Sequence, residues 1–322
     1  MGIEYNDISN LKREISRKYL SESDFKLEFD LKRKVYYNFA RKILPIGIRH
    51  IIQRKAVEKI KYNENFIWDE YVKLVKESGW EPKYPNGNKW VLILTHDVET
   101  EEGLKYVPKL IELEKKYNLK SSFNIVPYKY KIDEGIINYI KESGNEIGIH
   151  GFNHDGKLYY SEKIFNKRAK YINEALKKYE ALGFRSPQMH RNLEWLQKLD
   201  IEYDASCFDY DPFQPFPGGT GSIWPFKAGK FLELPYTLPQ DHVLFYVLGV
   251  KNIDIWKKKA DWVIDNNGFV IVLTHPDYLQ EKEYIKWYEE LLEYLKSKEG
   301  GYHCLAREAK EIMNYELRAV KK

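Results

Sequence analysis

Trp90-Val-Leu-Ile-Leu-Thr-His-Asp-Val-Glu99 is the stretch that decides the fold. From Trp90 to Thr95 it is a continuous apolar run that ends in polar residues. It lacks the alternation of a strand with one face in water, so it reads as a strand of a parallel sheet, buried on both faces. A turn-rich linker, Glu81-Pro-Lys-Tyr-Pro-Asn-Gly-Asn88, comes just before it. The chain therefore divides into a helical, basic N-terminal extension over 1–85 and an α/β domain over 86–322.

Downstream of this strand the same reading repeats. Strands are expected at Ser121–Val126, Glu146–His150, Gly183–Ser186, Phe231–Leu234 and Phe269–Thr274. Helical stretches fall at Leu104–Tyr117, Glu134–Ser143, Ser161–Leu182 and Ile253–Asn266, with more helix toward the C-terminus. Strands that alternate with helices in this way form a parallel α/β sheet or barrel. Internal repeats and low-complexity tracts are absent.

The chemically capable residues sit at the ends of these strands. The first ends in Thr95-His96-Asp97-Val98-Glu99, another in His150-Gly-Phe-Asn-His154, a third in Phe184-Arg185-Ser186-Pro187 and the last in Leu273-Thr274-His275-Pro276-Asp277. In parallel α/β folds the carboxyl ends of the strands share one rim, where loops carry reactive groups over a rigid base. Four such ends on one rim make a site.

His150 and His154 follow a buried strand, and Gly151 allows a tight turn between them. Imidazole suits Zn²⁺ and similar cations, and a carboxylate is a usual third ligand. Asp97 and Glu99 both qualify, and at i and i+2 they point one way if the backbone is extended. Three protein ligands leave a position for water, the mark of a catalytic site, and the second carboxylate would then take a proton from that water. His275 stands at the right rim to protonate a departing amine or alkoxide. Arg185, costly to bury alone, would hold the base ionised and oriented.

Together these residues resemble the polysaccharide deacetylase family, also called carbohydrate esterase family 4 or the NodB-homology domain, over roughly residues 89–278. The resemblance implies a distorted (β/α) barrel of the polysaccharide deacetylase type. It also implies an enzyme that uses a divalent metal, most commonly zinc, to hydrolyse N- or O-acetyl groups on sugars. By the match to the family's Thr-Phe-Asp-Asp motif, Asp97 takes the base position and Glu99 a metal-ligand position, with one extra residue between the acids. His150 and His154 match the metal motif His-x-x-x-His, Arg185 and Pro187 match Arg-x-Pro, and Leu273 and His275 match Leu-x-His, which implies that His275 is the general acid. Gln188-Met189 stands where an aromatic-glycine pair is common. Asp209-Tyr210-Asp211 is similar to the fourth motif but lacks its Trp. The loop Pro212–Pro225 and the segment Leu234–His242 are expected beside the site, with Asp241 and His242 as possible substrate contacts.

Composition bounds the class. The 322 residues, 43% apolar and 31% charged, suit a soluble globular protein with a sizeable core, and the 8 Trp and 26 Tyr serve packing or sugar stacking. Only two cysteines, Cys207 and Cys304, occur, without metal-type spacing, and the start of the sequence shows no secretory pattern. No run approaches the ~20 apolar residues of a membrane-spanning helix. The expected location is therefore cytoplasmic.

The net charge of +4 is unevenly spread. Leu31–Lys61 holds ten bases and one acid, hence +9, which leaves the rest of the chain at −5 and argues against a nucleic-acid partner. Two helices broken at Pro45, Leu31–Leu44 and Pro45–Lys61, are expected there. They read as an ordinary docked pair or, more sharply, as a peripheral contact with anionic lipid at the inner membrane face. The expected partner at the site is a carbohydrate, in cell-surface polysaccharide biosynthesis. Three other readings stand beside it: a non-catalytic sugar-binding relative with a degenerate metal site, a membrane-associated assembly scaffold, and a hydrolase of a non-sugar amide.

Overall fold

The computed structural model describes residues 29–40, 69–211 and 219–313, together with 43–45, 47, 48, 51, 52, 55 and 67. The two expected N-terminal helices lie partly outside these residues. The described part begins with α1 (Leu31–Val35), capped by Asp30, and continues as a π-helical turn over Tyr36–Ala40. Helix α2 (Glu70–Glu77) buries Tyr71, Val72 and Val75 against the main body. Trp80 meets Trp224 edge to face, and the Tyr84 hydroxyl donates to the Asn267 carbonyl. The chain is thus already packed on the core before its first strand.

Strand β1 (Trp90–Val98) is buried along its whole length and runs three residues beyond Thr95, so Asp97 lies inside the strand and Glu99 just past it. The series continues with α3 (Glu101–Lys115), β2 (Ser121–Ile125), α4 (Glu134–Glu142), β3 (Glu146–His150), α5 (Glu162–Tyr179) and β4 (Gly183–Arg185). Side-chain caps start each helix: Thr100 accepts from Gly103 N–H, Asp133 from Gly135 and Ile136, and Ser161 from Ile164. Then come α6 (Leu193–Leu196), β5 (Tyr203–Asp204), β6 (Phe226–Ala228) and β7 (Phe231–Glu233). After a π-helical segment, His242–Leu248, follow α7 (Asp254–Asp265), β8 (Phe269–Thr274), α8 (Pro276–Leu279), α9 (Lys282–Lys296) and β9 (Gly301–His303).

The sheet order is β6-β7-β5-β4-β3-β2-β1-β8, parallel throughout except for the β6–β7 hairpin. Strand β9 pairs with Trp90–Leu92 at the start of β1, while β2 pairs from Leu94 onward. The curled sheet closes through an irregular segment rather than a strand. Tyr236 N–H donates to the Cys207 carbonyl, and Thr237 and Leu238 N–H both donate to the Ile271 carbonyl of β8. This is the distorted (β/α) barrel expected from the resemblance. Its apolar core lies between the sheet and the surrounding helices.

The loop Pro212–Pro225 was expected beside the site, and residues 212–218 lie outside the described residues. The described remainder is buried: Ile223 carbonyl accepts from Phe269 N–H at the start of β8, and Trp224 packs on Trp80. That part serves the core near the amino ends of the strands. No described helix is long and apolar enough to cross a membrane.

Candidate metal centre and active site

Register brings the polar residues together. Asp97 of β1 pairs with Asn124 of β2, Asn124 with Gly148 of β3, and His150 of β3 with Arg185 of β4. Residues paired across parallel strands share a face, so Asp97, Asn124, His150 and Arg185 point into the barrel at its carboxyl rim. Gly148 leaves the space that Asn124 occupies, since a Cβ there would lie 2.1 Å from Asn124 Oδ1. His96, one residue before Asp97, points to the other face. There it stacks on Phe123 and bonds Thr274, Glu114 and Ser121 in a buried network.

Three side chains form a ligand-type cluster. The carboxylate of Glu99 and the imidazoles of His150 and His154 place one ligand atom each within 4.8 Å of one another. Glu99 Oε1 is 2.9 Å from His154 Nε2 and 3.7 Å from His150 Nε2. Both Nε2 atoms are buried, and neither has a hydrogen-bond partner. The short approach to Glu99 thus lacks hydrogen-bond alignment. Buried polar nitrogens are nearly always satisfied, so two orphans beside one carboxylate fit a cation.

The outer nitrogens are engaged. His150 Nδ1 donates to the Arg185 carbonyl at 3.1 Å, which leaves Nε2 as the lone-pair nitrogen. His154 Nδ1 faces the Gln188 amide at 3.3 Å, while the other end of that amide, Oε1, is buried without a partner. With the two ends of that amide exchanged, Gln188 accepts from Nδ1 and frees the His154 Nε2 lone pair.

The turn that carries these histidines is shaped by backbone constraints. Gly151 has φ +69, and a Cβ there would meet Pro187 at 2.3 Å. His154 itself is left-handed, φ 57, as are Gln188 and Met189. Non-glycine residues held in this region cluster at functional sites, where surrounding structure over-determines them.

Asp97 sits one layer below. Its Oδ1 accepts from Asn124 Nδ2 at 2.9 Å and from Arg185 Nη1 at 3.1 Å, and its Oδ2 lies 3.7 Å from His150 Nδ1. Burial pushes its carboxyl up, but His150, Arg185 and His275 together with the Asn124 bond hold it below the ordinary value. Arg185 is fully buried and also donates to Thr95 Oγ1 and the Ala205 carbonyl. Burial likewise opposes ionisation of Glu99, yet His154 and His150 hold it well below the usual range. Burial lowers His154, and Glu99 only partly offsets this, so its imidazole is neutral at physiological pH, as a ligand must be.

His275 follows β8 on the same rim, with Nε2 3.9 Å from Glu99 Oε1. Its Nδ1 is 2.6 Å from Asp241 Oδ1, and its backbone N–H donates to Asp241 Oδ2 at 2.7 Å. Burial disfavours the charged ring, but Asp241, Glu99 and Asp97 outweigh it and raise the pKa to about 10, so the ring is an imidazolium at neutral pH. Asp241 is fully buried, so it holds His275 instead of contacting a substrate. Asp277 fixes Glu99 by accepting its backbone N–H at 2.9 Å and the Thr100 hydroxyl. Asn124 and Asp277 were not assigned roles from sequence, and Asp241 was read only as a substrate contact, because their partners lie 27, 178 and 34 residues away. Asp209, in the segment similar to the fourth motif, is paired with buried Lys259 at 2.5 Å.

No family model matches the chain. A curated relative, the peptidoglycan deacetylase of Helicobacter pylori, is 21% identical over an alignment covering 60% of this chain and 78% of that protein. Among solved structures, a polysaccharide-deacetylase-type protein from Mycobacterium smegmatis superposes with a TM-score of 0.60 at 18% identity, covering 74% of this chain and 95% of that one. One from Pseudomonas aeruginosa PAO1 gives 0.58 at 14%, covering 79% and 99%. PuuE allantoinase gives 0.56 at 13%, covering 78% and 97%. The fold is thus the polysaccharide deacetylase barrel, and the resemblance to that family stands.

Proposed function

We propose that the protein is a metal-dependent hydrolase that removes an acetyl group from an N-acetylated or O-acetylated sugar. The observation that carries this reading is the pair of buried, unpartnered Nε2 atoms of His150 and His154 beside Glu99, flanked by an ionised Asp97 and a protonated His275. Glu99, His150 and His154 would hold a divalent cation, with zinc best suited to two imidazoles and one carboxylate. Such a cation supplies a Lewis acid that polarises the acyl carbonyl and acidifies water.

The remaining chemistry belongs to the chain. Asp97, kept ionised and aimed by Arg185 and Asn124, accepts the proton of the water that attacks the acyl carbon. His275 has its Nδ1–H committed to Asp241, so its Nε2–H is the proton available to the leaving amine or alkoxide as the C–N or C–O bond breaks. The products are acetate and the free amino or hydroxyl sugar. One carboxylate held as a base and one imidazole held as an acid, by different partners, is the division of labour that such a hydrolysis requires. A role in cell-surface polysaccharide biosynthesis is supported by the curated relative, whose name places it on peptidoglycan, and by the basic N-terminal segment.

The test is acetate release from N-acetylated monosaccharides, nucleotide sugars and lipid-linked glycans, with allantoin as the non-sugar amide, alongside elemental analysis. The active protein should carry about one equivalent of metal. Asp97→Asn should keep the metal and lose about 10²–10⁴-fold in rate. A metal-free wild-type protein, silent on every acetylated substrate, would leave a sugar-binding relative in place of an enzyme.

A further inference from the structure

Of the twelve large apolar residues exposed among the described residues, eight fall between Leu31 and Ile52. Leu31, Val35, Phe39 and Ile43 recur every four residues and are 78%, 51%, 66% and 77% exposed. Tyr36, Ile48, Ile51 and Ile52 extend the same exposed set. Single exposed apolar residues need no explanation, but a run at helical spacing is an interaction surface.

The opposite face of α1 and its π-helical continuation is already occupied. The Tyr37 hydroxyl bonds His190 Nε2 at 3.1 Å, and Asn38 bonds both the Tyr160 hydroxyl and Lys157 Nζ. Phe29, just before the helix, packs edge to face on His190. These contacts are made to the loops that follow β3 and β4, which also carry His154 and Gln188. His190 and His154 line one small cavity. The segment is therefore fastened to the catalytic rim by one face while its apolar face looks outward.

Charge selects the occupant. The Leu31–Lys61 window has ten bases against one acid, in a chain whose remaining residues sum to −5. An apolar stripe flanked by Lys and Arg matches a bilayer of anionic lipid: the apolar side chains enter the acyl boundary and the cations meet the headgroups. A second copy of this chain would instead set +9 against +9 across the contact.

We infer that this segment docks the protein on an anionic lipid surface and thereby turns the catalytic rim toward substrates carried on that surface. Docking stands on the exposed apolar face and the surrounding positive charge, whereas the nature of the substrate rests on the deacetylase reading. The substrate would be an acetylated sugar joined to a lipid, since a soluble sugar gains nothing from a site held against a membrane.

The test uses the full chain with vesicles of phosphatidylcholine, alone or mixed with phosphatidylglycerol. Co-sedimentation should occur only with the anionic vesicles and weaken in salt, because exposed charges are screened over about 10 Å at 0.1 M ionic strength. Replacing Val35 and Phe39 by Asp removes two apolar anchors without touching the docked face, and should lower the vesicle partition coefficient by roughly tenfold or more. Circular dichroism and thermal melting should be unchanged. A fluorophore at Tyr128→Cys, on the rim, should be quenched by headgroup-labelled lipid, and one at Glu299→Cys, at the opposite end of the barrel, should not.

Equal binding by the double variant, binding indifferent to lipid charge, or equal quenching at both positions would overturn the inference. So would self-association of the wild type that the same variant abolishes. Activity separates the two readings. The variant should keep its rate on a water-soluble acetylated sugar and lose it on a lipid-linked one in vesicles. Vesicle binding with rim-specific quenching but no deacetylation of any substrate would sink the catalytic reading and leave the docking intact.

Discussion

Arg185→Met tests the electrostatic design of the site. Arg185 and Asp97 are both almost completely buried, with Nη1 3.1 Å from Oδ1. Removing one member of such a pair leaves a buried charge uncompensated and costs about 3–5 kcal/mol, whereas removing both charges is far milder. Asp97 keeps its bond from Asn124, but the change also strips a donor from Thr95 Oγ1 and from the Ala205 carbonyl. We therefore expect ~4 kcal/mol for Arg185→Met and ~3 kcal/mol for Asp97→Asn. The double variant, left only with lost hydrogen bonds, should cost ~2 kcal/mol, a coupling well above the ~0.5 kcal/mol expected of independent sites.

The assay is urea unfolding followed by tryptophan fluorescence, in chelator so that metal linkage does not enter. Asp97 has a folded pKa below its ordinary value of 3.8, so its contribution is present above that pH and is lost as pH falls through the folded value. The gap between wild type and Arg185→Met should accordingly narrow on acidification. Additive single and double variants, or a gap independent of pH, would refute the view that Asp97 is an ionised base held by Arg185.

Other outcomes follow from the same geometry. Zinc at about 100 times its dissociation constant should stabilise the wild type by ~2.7 kcal/mol in thermal melts, and His150→Ala or His154→Ala should lose both the shift and the bound metal. The His275 pKa is raised to about 10, so the ion pair with Asp241 contributes fully below about 6.5 and fades as pH rises through about 10. In Asp241→Asn that window should collapse, seen as a ring titration at lower pH by NMR and an alkaline limb of the rate profile moved the same way. Gly148→Ala would drive a methyl group into the Asn124 amide that steadies Asp97. It should lower kcat by about 10²-fold while leaving stoichiometric metal in place, and normal turnover would rule out Asn124 as a positioning residue.

The long buried strands β1 and β8 were legible from sequence because each is an apolar run of five residues that ends in ligand-type or acid–base residues, and the shorter β3 because its Ile147 and Ile149 lead into His150. Among the strands of two or three residues, which are too short to display a period, Gly183–Arg185 and Phe231–Glu233 were expected, whereas Tyr203–Asp204, Phe226–Ala228 and Gly301–His303 were not. The six site residues read from strand ends all fall on one rim, because parallel pairing aligns carboxyl ends whatever the loops do. The supporting roles of their neighbours escaped notice for a physical reason. Asn124 is a polar residue inside a strand, Asp241 sits in irregular chain, and each acquires meaning only from a partner across the barrel. The left-handed backbone at Gln188 and Met189 carries no sequence signal, since neither residue type favours it.

The irregular closure at Tyr236–Leu238 has a consequence for turnover. Every other junction around the barrel is a run of paired strand, but this one is stitched by backbone hydrogen bonds to Cys207 and Ile271 and by the Thr237 hydroxyl, which donates to the Phe269 carbonyl and accepts from Ile271 N–H. Asp241 lies three residues beyond the seam and grips both the backbone and the ring of His275. Any loosening of the seam would therefore reach His275 through Asp241, whereas Glu99, His150 and His154 hang from β1 and β3. The closure of the barrel and the orientation of His275 are thus mechanically linked, and amide exchange at Thr237 and Leu238 should report on both.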